Sequence, residues 1–163
     1  MKTATLDTCA VIAVFNPERP GHTAMCRIKD AWERGRVRLA VSRRTLYQLR
    51  KKPPDAALAF AEKLEIQPYY VIGSWEEQGD VTWAQCAGTW DDAKKMDELQ
   101  RVFPVRAGAD IFGRGILLDS MKARIQVLVT NDGDVLAKPD DVERITGVRP
   151  MKPEEAARIS IQP

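Results

Sequence analysis

Val127-Leu128-Val129-Thr130-Asn131-Asp132-Gly133-Asp134 decides how the chain folds. Three consecutive apolar residues give way at once to polar ones. So short a continuous apolar run, bounded on both sides, is the signature of a strand buried on both faces of a parallel sheet. Working upstream from it, Ala109 to Arg124 carries Ile111, Leu118 and Met121, with Ile125 just beyond, and predicts a helix. Downstream, a turn is expected at Gly133, a helix from Asp140 to Ile145 and a last edge strand from Val148 to Met151. Pro153 then opens a final helix at its first position.

The rest of the chain repeats this alternation. Thr3 to Leu6 is a short β-prone run that ends on Asp7, followed by the apolar Val11, Ile12, Val14 and Phe15. Thr23 to Glu33 predicts a helix through Met25, Ile28 and Trp32, with Gly35 as its stop. Val37, Leu39 and Val41 alternate with Arg36, Arg38 and Ala40, which is strand periodicity. Ser42 caps a helix with Leu46 and Leu49 inward, which must stop before Pro53-Pro54. Asp55 caps another through Leu64, Ile66 to Ile72 is β-prone, and Asp91 to Val102 is helical up to Pro104. Gly73 to Thr89, with Trp75 and Trp83 and with Trp90 just beyond, has no clean period. Strands alternating with helices predict an α/β fold with a mostly parallel sheet, and residues 1–163 are expected to form a single domain.

Composition narrows the function. The 163 residues are 44% apolar and 29% charged, values of a globular chain rather than of a disordered one, a collagen or a coiled coil. The longest uncharged apolar stretch, Thr8 to Phe15, is far short of the roughly 20 residues of a membrane span, and no signal-peptide pattern opens the sequence. A soluble, cytoplasmic protein is expected. Cys9, Cys26 and Cys86 make no CxxC pattern and are expected to be reduced, mostly buried thiols. His22 is the only histidine, so no multi-histidine zinc site exists; its neighbours Pro20, Gly21 and Thr23 place it in a surface loop or at a helix cap.

The net charge of +2 says little, but its distribution is uneven. Eight basic residues lie between Arg34 and Lys52 with no acid among them, whereas seven acids face Lys94 and Lys95 between Ser74 and Glu98. The basic stretch is either a solvated face or a stripe that tracks nucleic-acid phosphates. In the second case Arg43, Arg44, Arg50 and Lys51 are its candidate RNA contacts.

Two strands end on acids: Thr5-Leu6-Asp7-Thr8, and Leu128-Val129-Thr130-Asn131-Asp132 with Asp134 two residues on. In an open parallel sheet, ligands bind beyond the carboxyl ends of the strands. Carboxylates gathered there repel one another unless a divalent cation or a raised pKa relieves them. Either acid alone could equally be a helix cap. Taken together, Leu6-Asp7-Thr8 with Val11 and Ile12, and Leu128 to Asp134, resemble the first and last motifs of the PIN-domain nucleases, and the two motifs span the chain from end to end.

The resemblance implies a three-layer sandwich, a central parallel sheet between helices, and Mg²⁺- or Mn²⁺-dependent cleavage of RNA. Asp7 and Asp132 would be catalytic carboxylates and, with Asp134, metal ligands. Thr8, Thr130 and Asn131 would orient ligands or water around them. Many members are toxins silenced by an antitoxin, so an antitoxin protein and a homodimer are partners that the resemblance allows beside RNA. The family's third acid lies in the helix before the last strand, where Asp110 and Asp119 compete. They are nine residues apart, about 900° of helix rotation, and so point to opposite faces. A five-residue strand spans about 16 Å, which a returning helix matches in about 11 residues. Asp119 is only six residues before Ile125, whereas Asp110 is fifteen before it. Asp110 is therefore the expected ligand, and Asp119 a surface charge near Lys122.

Where the family carries a glutamate after the second strand, this chain has Gln48, in Ser42-Arg43-Arg44-Thr45-Leu46-Tyr47-Gln48-Leu49. An amide keeps a carbonyl oxygen and loses the charge, which weakens the hold on a hard cation. The expectation is a ribonuclease with a weakened metal site, or else a PIN-like module that has lost catalysis and binds RNA or a protein partner. A haloacid-dehalogenase-type phosphatase also starts from a strand-end Asp, but it needs a second Asp where Cys9 stands.

Overall fold

A computed structural model describes residues 3–51, 55–67, 89–102 and 111–161. In chain order the elements are β1 (Thr3–Leu6), α1 (Thr8–Phe15), α2 (His22–Glu33), β2 (Arg38–Ser42), α3 (Arg43–Lys51), α4 (Asp55–Ala61), β3 (Glu65–Gln67), α5 (Trp90–Val102), α6 (Ile111–Lys122), β4 (Val127–Val129), α7 (Gly133–Leu136), α8 (Pro139–Thr146), β5 (Arg149–Met151) and α9 (Pro153–Ile161). The five strands form one sheet in the order β3-β2-β1-β4-β5, and every pairing is parallel. Helices cover both faces, which makes the expected three-layer sandwich.

Alternation along the strands assigns the two cores. Leu6, Leu39, Val41 and Val129 face α1, α2, α4 and α9, and pack with Val11, Met25, Ile28, Phe60 and Ala157. Leu128, one residue from Val129, faces the opposite way and packs with Leu99, Ile116, Leu117, Val135, Val142 and Ile145. Val127-Leu128-Val129 is apolar throughout because each face of β4 meets a helical layer.

The second face of the sheet is not apolar everywhere. Beneath α6 it presents Thr5, Ser42 and Gln67, all buried. Ser120 donates to Thr5 Oγ1 at 2.9 Å, and Gln67 Nε2 donates to the same oxygen at 2.6 Å. Beside them Asp119, fully buried, accepts a hydrogen bond from Ser42 Oγ and pairs with Arg44 Nε at 3.3 Å. This corrects the expected surface position of Asp119: Lys122 pairs instead with Asp92, at 2.8 Å. α3 thereby bridges both layers. Leu46 and Leu49 join the first core, Arg44 reaches into the second, and Thr45 Oγ1 donates to Leu6 O at 3.5 Å.

Several boundaries shift by a residue or two from expectation, and two of the differences have a visible local cause. Gly133 starts a one-turn helix rather than a turn, because Asp132 caps it by accepting from Asp134 N at 2.9 Å. α4 ends at Ala61, and the backbone turns through Lys63 N→Phe60 O and Leu64 N→Ala61 O. Among the described residues no helix is long and apolar enough to cross a membrane.

Candidate active site

In the strand order β3-β2-β1-β4-β5, connections leave in opposite directions on the two sides of the β1–β4 pair. Such a switch point opens a crevice beyond the strands' carboxyl ends. Asp7 follows β1 there and Thr130 follows β4. Asp7 N donates to Val129 O at 3.0 Å, and Thr130 N donates to Met151 O at 3.0 Å, so both segments leave the sheet in register.

Asp7 caps α1, with Oδ1 accepting from Thr8 N at 2.5 Å. Its Oδ2 accepts from Thr130 Oγ1 at 2.7 Å and from the Cys9 thiol at 3.3 Å. Thr130 Oγ1 in turn accepts from Asp132 N at 3.0 Å, which ties the two acidic segments together through one hydroxyl. Burial raises the Asp7 pKa above its ordinary 3.8; hydrogen bonds from Thr130, Cys9 and Thr8 N oppose this, and the Asp132 charge adds to it. Among the described residues neither Asp7 nor Asp132 has a cationic partner.

Gln48 reaches the same place from α3. Its Oε1 accepts a hydrogen bond from Thr8 Oγ1, next to Asp7. α6 approaches from the other side: a Cβ on Gly113 would lie 3.8 Å from Asp132 Oδ2 and 3.4 Å from Val135 Cγ2. The sequence-predicted residues Asp7, Thr8, Gln48, Thr130 and Asp132 are thus brought together. Asn131 turns away to hold the neighbouring loop, donating from Nδ2 to Pro20 O at 2.9 Å. Asp134 is exposed in the first turn of α7 and contributes only its backbone N–H. Asp110 lies outside the described residues. Among those described, no three His, Cys, Asp or Glu side chains form a metal-holding group.

Sequence reasoning missed Cys9. Its sulfur accepts from Asn131 N at 3.1 Å and lies 3.4 Å from Thr130 Oγ1. Burial, reinforced by the Asp7 charge, pushes this thiol up to about 12. The signal was its place two residues after Asp7, in the first turn of α1.

The expected RNA contacts divide. Arg44 is a correction: at 3% exposure and paired with Asp119, it cannot meet a phosphate. Arg50 is exposed and pairs with Glu62 at 3.3 Å. Lys51 stands over the Tyr47 ring at 4.4 Å, and Arg43 is exposed. Arg38, further along the stripe, pairs with Glu65. Acids just after α4 and in β3 therefore neutralise part of a stretch that contains none itself. No family model matches the chain, and no curated protein matches it.

Proposed function

We propose that the chain is a divalent-cation-dependent ribonuclease of the PIN-domain type. The observation that supports this best is the meeting of Asp7 and Asp132, 125 residues apart, at the switch point of the sheet with no cationic side chain paired to either among the described residues. The oxygen donors there suit a hard cation in kind: Asp132 Oδ2, an open lone pair on Asp7 Oδ1 and the Gln48 carbonyl. They are few, which agrees with a weak site. Mg²⁺ or Mn²⁺ held by Asp7 and Asp132, with Asp110 and Asp134 as further candidate ligands, would supply Lewis acidity and positive charge beside the scissile phosphodiester. The chain's own residues do the rest. Thr130 and Thr8 N fix the Asp7 carboxylate, and Thr8 holds the Gln48 amide beside it.

A second reading rests on Gln48. With its carbonyl engaged by Thr8 and no charge to offer, the site would bind metal too weakly for catalysis, and the fold would serve as an RNA- or protein-binding module. Cleavage of a mixed-sequence single-stranded RNA in Mn²⁺ decides between them. The nuclease reading expects slow cleavage that Asp7→Asn and Asp132→Asn each abolish. Cleavage equal in wild type and Asp7→Asn is contamination, and with no Asp7-dependent cleavage the binding module stands.

A further inference from the structure

Beside the carboxylate crevice lies a second concavity of about 760 Å³, between the loop before α2, α2 itself and α9. Ala24 and Ala157, both nearly fully buried, contribute small side chains to its lining. Three arginines, Arg19, Arg27 and Arg158, also line it, together with one acid, Glu154. All four are exposed, and among the described residues none of the arginines forms an ion pair, with Glu154 or with any other acid. That sets them apart from Arg38, Arg44, Arg50, Arg144 and Arg149, each of which has a carboxylate partner. Three guanidinium groups from three separate elements converge on one cleft, where the fold leaves their charge uncompensated.

The cleft is fixed in place against the carboxylate site. Gly21 begins α2 at φ +80, and a Cβ there would stand 2.6 Å from Pro153 Cγ and 3.5 Å from Asn131 Nδ2. Pro20 O accepts from Asn131 Nδ2, and Asn131 directly precedes Asp132. The loop that carries Arg19 is therefore pinned to the segment that carries the catalytic candidate, with Asn131 as the link between them.

We propose that the α2–α9 cleft is a phosphate-binding site that grips the backbone of the RNA strand whose neighbouring phosphodiester lies over Asp7 and Asp132. This rests on the ribonuclease reading for the identity of the strand. Arginine's planar fork suits phosphate oxygens. Among the described lining residues His22 supplies the one aromatic ring against three arginines, so the grip falls chiefly on backbone phosphates. Glu154 sets a limit on the negative charge the cleft accepts. The site replaces the basic stretch of β2 and α3 as the main phosphate contact, since Arg44 is buried there and Arg38 and Arg50 are already paired.

The test uses the full chain and a fluorescein-labelled dodecauridylate in EDTA, read by anisotropy between 50 and 200 mM NaCl. Each phosphate neutralised on a single strand contributes about 0.7 to the slope of log K against log salt. Arg19→Gln/Arg27→Gln/Arg158→Gln should lower that slope by about 2, with the melting temperature unchanged because these side chains hold nothing in the fold. Glu154→Gln should tighten binding. An unchanged slope in the triple variant overturns the proposal, as does an absence of RNA binding by wild type. Retained RNA binding with loss of polyglutamate binding also overturns it and makes the cleft a peptide site. Arginine-dependent binding without cleavage in Mn²⁺ upholds the cleft and refutes the nuclease; cleavage with an unchanged slope does the reverse.

Discussion

Asp119→Ala should be the most destabilising single change in the described part of the molecule outside the apolar core. Asp119 is fully buried and Arg44 is 3% exposed. The carboxylate takes the Ser42 hydroxyl and the Arg44 Nε–H on the same oxygen, Oδ2. Ser42 also accepts from Arg44 N at 3.0 Å, which closes the start of α3. Truncation leaves a guanidinium buried without this carboxylate, and breaking a buried pair on one side costs about 3–5 kcal/mol. For a chain of this length each kcal/mol shifts the melting temperature by roughly 2–4 °C, so a fall of about 10 °C is expected. The guanidinium cannot swing aside cheaply, because it lies against α6 where a Cβ on Gly115 would come within 2.4 Å of Arg44 Nε. Arg44→Met/Asp119→Leu should recover most of the loss, since apolar replacement of both partners removes the charge and fills the space. Thermal melting of the three variants by far-ultraviolet circular dichroism checks this. A fall below about 2 °C for Asp119→Ala, or a double variant less stable than the single, refutes the role given to the pair.

Three further outcomes are expected. Gln48→Glu should tighten Mn²⁺ binding and speed RNA cleavage while lowering the melting temperature in EDTA, so that adding Mn²⁺ reverses the sign of the stability change; no change in either measurement would place Gln48 outside the site. Asp7→Asn should stabilise the metal-free protein near pH 7. The folded carboxyl titrates above its unfolded value of 3.8, so its contribution is full below that pH and is lost as pH rises through the folded pKa; melting curves in EDTA should therefore diverge from wild type as pH rises, and curves that stay parallel count against it. Gly21→Ala should cost about 2 kcal/mol or more in urea unfolding, combining a left-handed backbone with a Cβ driven into Pro153.

Much of this architecture is legible locally. Val127-Leu128-Val129 announces a doubly covered strand, and the polar residues after it mark the sheet's carboxyl edge. Asp7, Gln48 and Asp132 follow from short motifs, and motifs survive without tertiary knowledge. What escapes is pairing across the sequence. The stretch from Arg34 to Lys52 reads as one uninterrupted charge, yet Glu62, just after α4, and Glu65, in β3, come in to neutralise Arg50 and Arg38. Arg44 disappears beneath α6 because the second face of the sheet offers Ser42 and Thr5 instead of aliphatic side chains. No window on the sequence reports that Asp119, 75 residues on, is its partner.

The comparison of Asp119 with Asp7 and Asp132 shows which charges matter. Asp7 and Asp132 follow the carboxyl ends of β1 and β4, whereas Asp119 lies in α6 against the second face of the sheet. Asp119 meets a guanidinium and becomes part of the scaffold; its charge is spent in holding α3 to α6. Asp7 and Asp132 meet hydroxyls, a thiol and backbone amides, which orient a carboxylate without neutralising it. Burial of one such group beside another raises the free energy of the metal-free fold. Arg19, Arg27 and Arg158 repeat the pattern with the opposite sign, on the far side of Asn131. A fold that compensates Arg44 and Asp119 internally, yet leaves two carboxylates at one crevice and three guanidinium groups in a neighbouring cleft without ion-pair partners among the described residues, has the charge pattern that the proposed cation and polyanion would complete.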